Sequence, residues 1–476
     1  MTTSSAPRRT IALILALTLL VGALALCLNR TRNGDLYLQV LTGRFITEHG
    51  LATHDPFATI EHGRPWLNQQ WLSELAFYRI ADAVGFTGLS VLYAALIAAP
   101  LALLMWALRR KGPALLGAAA VLYFPALLAV VHPRAAGFTM LAFSLLVLLI
   151  MAAWRAPSEG NVRLRWAIAG ILVLFAVWAN IHGGFVAGLL LIALVTVGLA
   201  VDRWRGVAGE IAAHRVAMLG LSGVIAAAVV TFATPLGTAI WSYIASFRNP
   251  ALYLATKEWE PASQSIPAMI YLAIAAAFAA LLWWRGPAPR RLMPPLVVAG
   301  FVAFAAVSLR NVVFVGPVLA FPIAWSAPDR APRVPRGAIA VAAATAAAAA
   351  LVWGLVLGPA RDDPPLGSRA VDYALRHPPR HGRIATYAGT GSYLLWRSHR
   401  TNVVIDGWIE HFRPGVLRRN YGLLRGWYPN PLKAARRLDV RAVIAHLPGA
   451  IEDLEAHGFV PKVATQHATY LVRRGP

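Results

Sequence analysis

Residues 89–134 read LSVLYAALIAAPLALLMWALRRKGPALLGAAAVLYFPALLAVVHPR. Two long apolar runs flank a single basic cluster, Arg109-Arg110-Lys111. A bilayer core of about 30 Å needs roughly 20 apolar residues per helix, and each run meets that need. The stretch is therefore two membrane spans joined by a short positive turn. The same grammar repeats along the chain. Candidate spans start near Ile11, Leu89, Ala114, Gly137, Trp166, Phe185, Val216, Ile266, Leu292, Val312 and Gly337.

Composition agrees. The 476 residues are 58% hydrophobic and only 14% charged, against about 25% charged in a soluble domain. The formal net charge of +23 suggests nucleic acid at first sight. That class is set aside, because a nucleic-acid binder gathers its basic residues on one face. Here they recur at alternate span ends: Arg109 to Lys111, then Arg155, Arg163 and Arg165, then Arg203, Arg205 and Arg215, then Arg285, Arg290 and Arg291, then Arg330, Arg333 and Arg336. The intervening short gaps are poor in basic residues, with Arg134 in one and Arg310 in another. By the positive-inside rule the first set is cytoplasmic. Cys27 is the only cysteine, so neither an intrachain disulfide nor a Cys-based metal site is available. The run from Ile11 to about Leu28 behind Arg8 and Arg9 reads as an uncleaved first span, being long for a signal peptide.

The expected architecture is a polytopic α-helical membrane protein of about eleven transmembrane helices with a small C-terminal periplasmic α/β domain. Residues 1–358 form the transmembrane part, including a large first periplasmic loop over 29–88, and residues 359–476 form the tail domain. A shorter outer loop runs from Thr234 to Ser265. In the tail, Arg383 to Tyr387, Val403 to Ile405 and Val440 to Ala445 read as strands, and Pro431 to Leu438 as a helix. No fixed-period repeat is present. Ala338 to Ala350 is simply a small-residue span, suited to close helix packing in lipid.

Polar residues that topology does not require are concentrated in the first loop. Asp35 to Glu48 and Asn68 to Ala83 have one-sided apolar patterns and are expected to lie along the membrane surface. The second of these turns Trp71, Leu72, Leu75 and either Tyr78 or Phe77 toward lipid. Between them Pro56 and Pro65 break any helix. Three carboxylates stand out as catalytic candidates: Asp35, Asp55 and Glu74. Each has a plain structural alternative. Asp55 before Pro56 is a turn initiator, and Glu74 suits the wet face of a helix. Asp35 is the sharpest, because a carboxylate beside apolar surface can have a raised pKa and act as a base. On the same outer side lie Arg134, His182, Lys257 and Arg310, together with His132, Asn180, Glu258 and Asn311. The arginines suit a phosphate through paired hydrogen bonds; alternatively they only snorkel to the interface. His182 precedes Gly183-Gly184, where backbone can approach a ligand closely; alternatively it is a buried, hydrogen-bonded histidine.

Several motifs resemble the bacterial integral-membrane glycosyltransferases of the GT-C superfamily. They are Gly34-Asp35-Leu36-Tyr37, Gly43-Arg44-Phe45-Ile46, His54-Asp55-Pro56-Phe57, Trp71-Leu72-Ser73-Glu74, His132-Pro133-Arg134, Trp178 to Gly184, Lys257-Glu258-Trp259 and Arg310-Asn311. Gly391 to Trp396 and Ile405-Asp406-Gly407 in the tail belong with them. The resemblance implies a sugar transferase that draws its donor from a polyprenyl-phosphate carrier, and it implies the role of base or acceptor-positioning group for Asp35. Asp35 is followed by Leu36, so the adjacent Asp-Glu pair of the protein O-mannosyltransferases is missing. No Asp-x-Asp motif supports a metal, and no cofactor is expected. The partners expected are the lipid-linked sugar, membrane lipid and an envelope acceptor, which the sequence does not name. A transporter or flippase, or a non-catalytic binding protein for a lipid-linked envelope precursor, is the alternative. Matched repeats and Gly/Pro-broken half-spans would mark a transporter. Pro125 and Pro317 interrupt spans, but no matched halves appear.

Topology is directly testable. Reporter fusions after Lys111, Arg165 and Arg291 should read cytoplasmic, and fusions after Asp55 and Asp406 periplasmic. A cytoplasmic signal at Asp406 would mean an odd error in the span count.

Overall fold

The computed structural model describes residues 34–474 apart from 58–59, 61–62, 64, 129, 131, 156–161, 208–212, 248–249, 328, 330–367 and 399–400. The spans expected at Ile11 and Gly337 lie outside the described residues. The helices run α1 (Gly34–His49), α2 (Trp71–Leu108), α3 (Pro113–Leu128), α4 (Ala136–Arg155), α5 (Val162–Trp178), α6 (Phe185–Trp204), α7 (Ala213–Ala233), α8 (Ala239–Ser246), α9 (Ile266–Arg285), α10 (Met293–Val307), α11 (Val315–Val318) and α12 (Ala320–Ser326). There follow α13 (Ser368–Arg376), β1 (Arg383–Ala385), α14 (Ala388–Arg397), α15 (Pro414–Arg425), α16 (Pro431–Arg437), β2 (Val440–Ala445), α17 (Pro448–Ala456), β3 (Phe459–Ala464) and β4 (Thr469–Arg473).

Contacts divide the chain into two units. One contains Thr87–Gly237 and Glu260–Ala360, and the other contains Arg30–Phe86, Thr238–Trp259 and Arg361–Pro476. The first loop, grouped with the spans on sequence position alone, thus belongs by contacts with the tail.

The first unit is a helical membrane body. Among the described residues six helical segments are long and apolar enough to cross a membrane: Trp71–Lys111, Ala136–Ala153, Phe185–Trp204, Ala213–Ala233, Ile266–Arg285 and Leu309–Ser326. Met293–Val307 is apolar but shorter, and α3 and α5, at 16 and 17 residues, fall on the spans expected from Ala114 and Trp166. The segment after Ser308 is broken into a 3-10 turn over Leu309–Phe314 and then α11 and α12. Pro317 and Pro322 each lack the amide hydrogen that a continuous helix needs.

Helix α2, at 38 residues, would be about 57 Å long at 1.5 Å per residue, nearly twice the bilayer core. Gly85 (φ 68°, ψ 179°) interrupts it in a conformation open essentially to glycine alone. The apolar run from Leu89 to Leu108 is the span. The part from Trp71 to Gly85, which carries Glu74, lies before it and belongs to the second unit.

The second unit is built on a four-stranded sheet of order β1-β2-β4-β3. Strand β1 runs parallel to β2, while β2–β4 and β3–β4 are antiparallel. One core cluster joins Leu417, Tyr421 and Leu424 of α15 to Val440, Val443 and Leu471. The other joins Tyr37, Leu38 and Leu41 of α1 to Tyr393, Leu394, Ala442 and Ile444.

Two expectations need correction. Helix α1 does not lie on a membrane surface: Leu36 through Gly43 and Ile46 are all buried within the protein. Only its C-terminal end, with the exposed Arg44–Glu48 pair, reaches solvent. On the first part of α2, Phe77 is 2% exposed, while Trp71, Leu72, Leu75 and Tyr78 are half-buried. In the tail, Val403 forms only an isolated bridge to Ile384 instead of a strand. The strands expected at Ile384 and Val440 are β1 and β2, whereas β3 and β4 are not marked by the sequence pattern.

Two glycines set how deeply α1 sits. A Cβ on Gly34 would strike the Gly389 backbone of α14, and one on Gly43 would strike the Glu74 carbonyl of α2. Gly43→Val should therefore lower stability by about 1–3 kcal/mol through overpacking. Gly449→Ala, where the space is open, is the control. Thermal unfolding of the two variants in detergent checks this, and equal midpoints would contradict the close approach.

Candidate functional site

The tail segment Asp406–His411 gathers the acidic residues of the first loop. It follows the apolar run Val403-Val404-Ile405, which is buried at 0–1% exposure, so Asp406 is carried into the interior at 0%. Its Oδ1 accepts the Trp408 amide at 2.8 Å, and its Oδ2 has no partner among the described residues. Burial, then the charge of Asp55, pushes the Asp406 carboxyl well above its usual range.

Asp55 is 2% exposed. Its Oδ1 accepts the Phe57 amide at 2.8 Å, the turn geometry that Asp before Pro favours. Its Oδ2 lies 3.2 Å from His411 Nε2. Glu74, in the first turn of α2, is 0% exposed. Asn68 Nδ2 donates to its Oε2 at 2.6 Å, while Oε1 has no partner among the described residues. Burial raises the Glu74 carboxyl from 4.5 to about 8, with Glu410 adding to the rise and Asn68 opposing it. Tyr243 of α8 donates to Glu410 Oε1 at a long 3.4 Å.

Asp35 sits in the first turn of α1, where the helix dipole favours a negative charge. It is only half-buried. A Cβ built on Gly407 would come within 3.4 Å of Asp35 Oδ1 and 2.9 Å of Ser392 Oγ; the Gly407 amide donates to that Ser392 oxygen at 2.9 Å. All three candidate carboxylates thus meet the same short segment of the tail: Asp35 at Gly407, Asp55 at His411, and Glu74 within electrostatic reach of Glu410. Glu410 and His411 were not singled out from the sequence. Nothing local marks them, because their role depends on side chains more than 330 positions earlier.

In the membrane unit, Arg310 and His182 are joined directly. Arg310 Nη2 lies 2.8 Å from His182 Nε2. A guanidinium only donates, so Nε2 is the acceptor and the imidazole proton sits on Nδ1, 2.9 Å from Thr139 Oγ1. Trp178 Nε1 donates to the same Thr139 oxygen at 2.9 Å. The Gly184 amide also faces Nδ1 at 3.0 Å, a contact this tautomer weakens. Burial lowers the His182 pKa well below normal, and the charges of Arg310 and Arg134 lower it further. His182 is therefore neutral beside two cations. Asn180 pins the loop by donating to Ala176 and Ala233 carbonyls at 2.8 and 2.9 Å. Lys257 is exposed on a 3-10 turn of the other unit. Among the described residues no three His, Cys, Asp or Glu side chains are arranged to hold a metal ion.

With this geometry in view, the fold has known counterparts. The structure of ArnT from Cupriavidus metallidurans bound to undecaprenyl phosphate superposes over 99% of this chain and 100% of that one, at a TM-score of 0.54 and 12% identity. The apo structure of the same protein gives a TM-score of 0.54 and 15% identity over the same shares. The chain has the GT-C fold. No family model matches the sequence, and no curated protein matches it. At such identities the likeness is one of fold, and the apolar helices of the first unit agree with it.

The neutral Glu74 carboxyl has a measurable consequence. In the folded protein it keeps its proton up to about pH 8, and in the unfolded chain it loses it near 4.5. Between these values the unfolded state holds fewer protons, so stability falls as pH rises, by at most about 1.4 kcal/mol per unit for this group. Glu74→Gln cannot titrate and should make the fall shallower between pH 5.5 and 8. Unfolding midpoints measured across that range decide it; parallel slopes for the two proteins would show that Glu74 is not held neutral.

Proposed function

We propose that this protein is a membrane glycosyltransferase that moves a sugar from a polyprenyl-phosphate carrier to an envelope acceptor on the periplasmic face of the inner membrane. The observation that carries the reading is a buried carboxylate cluster within a fold shared with ArnT, a protein crystallised with undecaprenyl phosphate. The tail and the first loop are assigned to the periplasm on the positive-inside pattern.

The roles follow from charge and exposure. Transfer requires a base to take the proton of the attacking hydroxyl as the bond from sugar to phosphate breaks. Glu74 is protonated at neutral pH and Asp55 is enclosed beside His411. Asp35 is the least enclosed of the three and is assigned as the base, with Asp55 and Glu74 supporting it. Arg134 and Arg310 are assigned to the donor phosphate, with His182 orienting Arg310 and Lys257 as a further cation.

Radiolabelled sugar transfer from a polyprenyl-phosphate donor by purified protein tests the reading. Asp35→Asn should cost about 10² to 10⁴ in rate with donor binding much less affected, and should be clearly worse than Asp55→Asn or Glu74→Gln. If Asp55→Asn alone abolishes turnover, the base is Asp55. If none of the three matters, the transferase reading fails in favour of a transport or binding role.

The phosphate assignment has its own check. Arg134→Ala and Arg310→Ala should each weaken donor binding by roughly 1.5–3 kcal/mol, the value of a hydrogen bond to a charged group. Arg109→Ala, on the cytoplasmic side, should leave it unchanged. Equal losses from all three would indicate misfolding and remove the assignment.

A further inference from the structure

A cleft of about 160 Å³ opens in the tail-containing unit, lined among others by Trp66, Asn68, Gln70, Ser246, Trp408 and Glu410. Its size corresponds to about five waters at their share of liquid volume, and lies below the usual range for drug-sized ligands. Two indole rings form part of its wall, with centroids 6.1 Å apart and tilted by 59°. Two of the lining residues carry a buried polar atom without a partner among the described residues: the indole N–H of Trp408, 7% exposed, and Oδ1 of Asn68, 6% exposed. Nearly all buried polar groups in proteins are paired, and an unmade bond of this kind is destabilising. One donor and one acceptor left open beside two aromatic rings call for a ligand that offers both and has an apolar face. Among the described residues neither lysine nor arginine lines the cleft, whereas Glu410 does, with His411 beside it, so an anion is unfavoured there.

We propose that this cleft binds a single uncharged sugar ring, its hydroxyls meeting Trp408 Nε1 and Asn68 Oδ1 and its C–H face resting on the indoles. This rests on the transferase reading for its meaning, since the ring belongs either to the donor or to the acceptor, but its binding is separable from transfer.

The probe is a panel of neutral monosaccharides (glucose, galactose, mannose, xylose, arabinose and N-acetylglucosamine) at millimolar concentration. Saturation-transfer NMR is recorded on the full chain in detergent. At least one sugar should receive saturation. Trp408→Phe, which keeps the ring and removes the N–H, should weaken its binding by about fivefold, the value of one hydrogen bond. Because Trp408 is a core residue, Ser246→Leu, which adds bulk to the cleft wall at an exposed position at the end of α8, is the second variant and should abolish the signal. Trp427→Ala, at an exposed tryptophan, should not alter it. With glucose 1-phosphate, binding should be no tighter than with glucose. Competition with the donor in the transfer assay assigns the ring to the donor, and non-competitive inhibition assigns it to the acceptor. No saturation of any sugar, or equal saturation in Ser246→Leu, overturns the inference while leaving the transferase reading intact. Binding of a sugar without any transfer upholds the cleft and overturns the transferase.

Discussion

The tail-containing unit must accommodate two carboxyl groups, Asp406 and Glu74, that are removed from water altogether. A buried, ionised carboxylate costs several kcal/mol unless a partner compensates it. The fold compensates in three ways. Asp55 receives His411 and a backbone amide, Glu74 receives Asn68, and Asp406 receives the Trp408 amide. What hydrogen bonds leave uncovered, protonation absorbs: Glu74 and Asp406 are both displaced toward the neutral form. This arrangement demands that the first loop and residues 406–411 fold together, because each supplies partners that the other lacks. The close approach of α1 through Gly34 and Gly43 serves that demand, since any larger side chain would hold the helix away from α14 and from the Glu74 backbone.

Most of the membrane architecture was legible in the sequence. Span length is a one-dimensional property, set by bilayer thickness, and each span expected among the described residues falls on a helix, except that the one from Val312 falls on a broken series of helical turns. The first loop was less legible for a physical reason. An apolar helix face declares that it avoids water, not whether lipid or protein covers it. Asp35 to Glu48 therefore read as surface-lying, while the structure buries its helix among Tyr393, Leu394 and Ile444. In the tail, Val440 to Ala445 was readable as a strand because its apolar run is bounded on both sides. Val403 to Ile405 has the same composition but pairs only at one position. Strand pairing depends on a neighbour's register, which composition does not encode.

The candidate site was half visible. Asp35, Asp55 and Glu74 were conspicuous as carboxylates in an otherwise apolar setting. Their electrostatic states were not readable, because those depend on Asn68, Glu410 and His411 and on the depth to which the tail buries them. Glu74 illustrates the point. As a residue in the first turn of an amphipathic helix it reads as a solvated acid. The structure encloses it completely, and enclosure converts an ordinary carboxylate into one that is mostly neutral at pH 7.

The two charge clusters are kept in different units and are built on opposite rules. Among the acids, hydrogen-bond donors and protonation remove charge. Around Arg310 the orienting partner is a neutral imidazole, and the choice matters. A carboxylate at the position of His182 would fix the guanidinium equally well, but would cancel its charge and compete with an incoming anion. A neutral histidine that accepts through Nε2 fixes the direction of Arg310 and contributes no negative charge. The neighbouring charge of Arg134 then reinforces the arrangement, since it further disfavours protonation of His182 and so preserves the acceptor on which Arg310 depends. A cation held in place by a neutral acceptor beside a second cation keeps its charge uncancelled. Thr139, itself held by Trp178, belongs to the same device, because its oxygen can accept the Nδ1 proton that the contact of Arg310 with Nε2 requires.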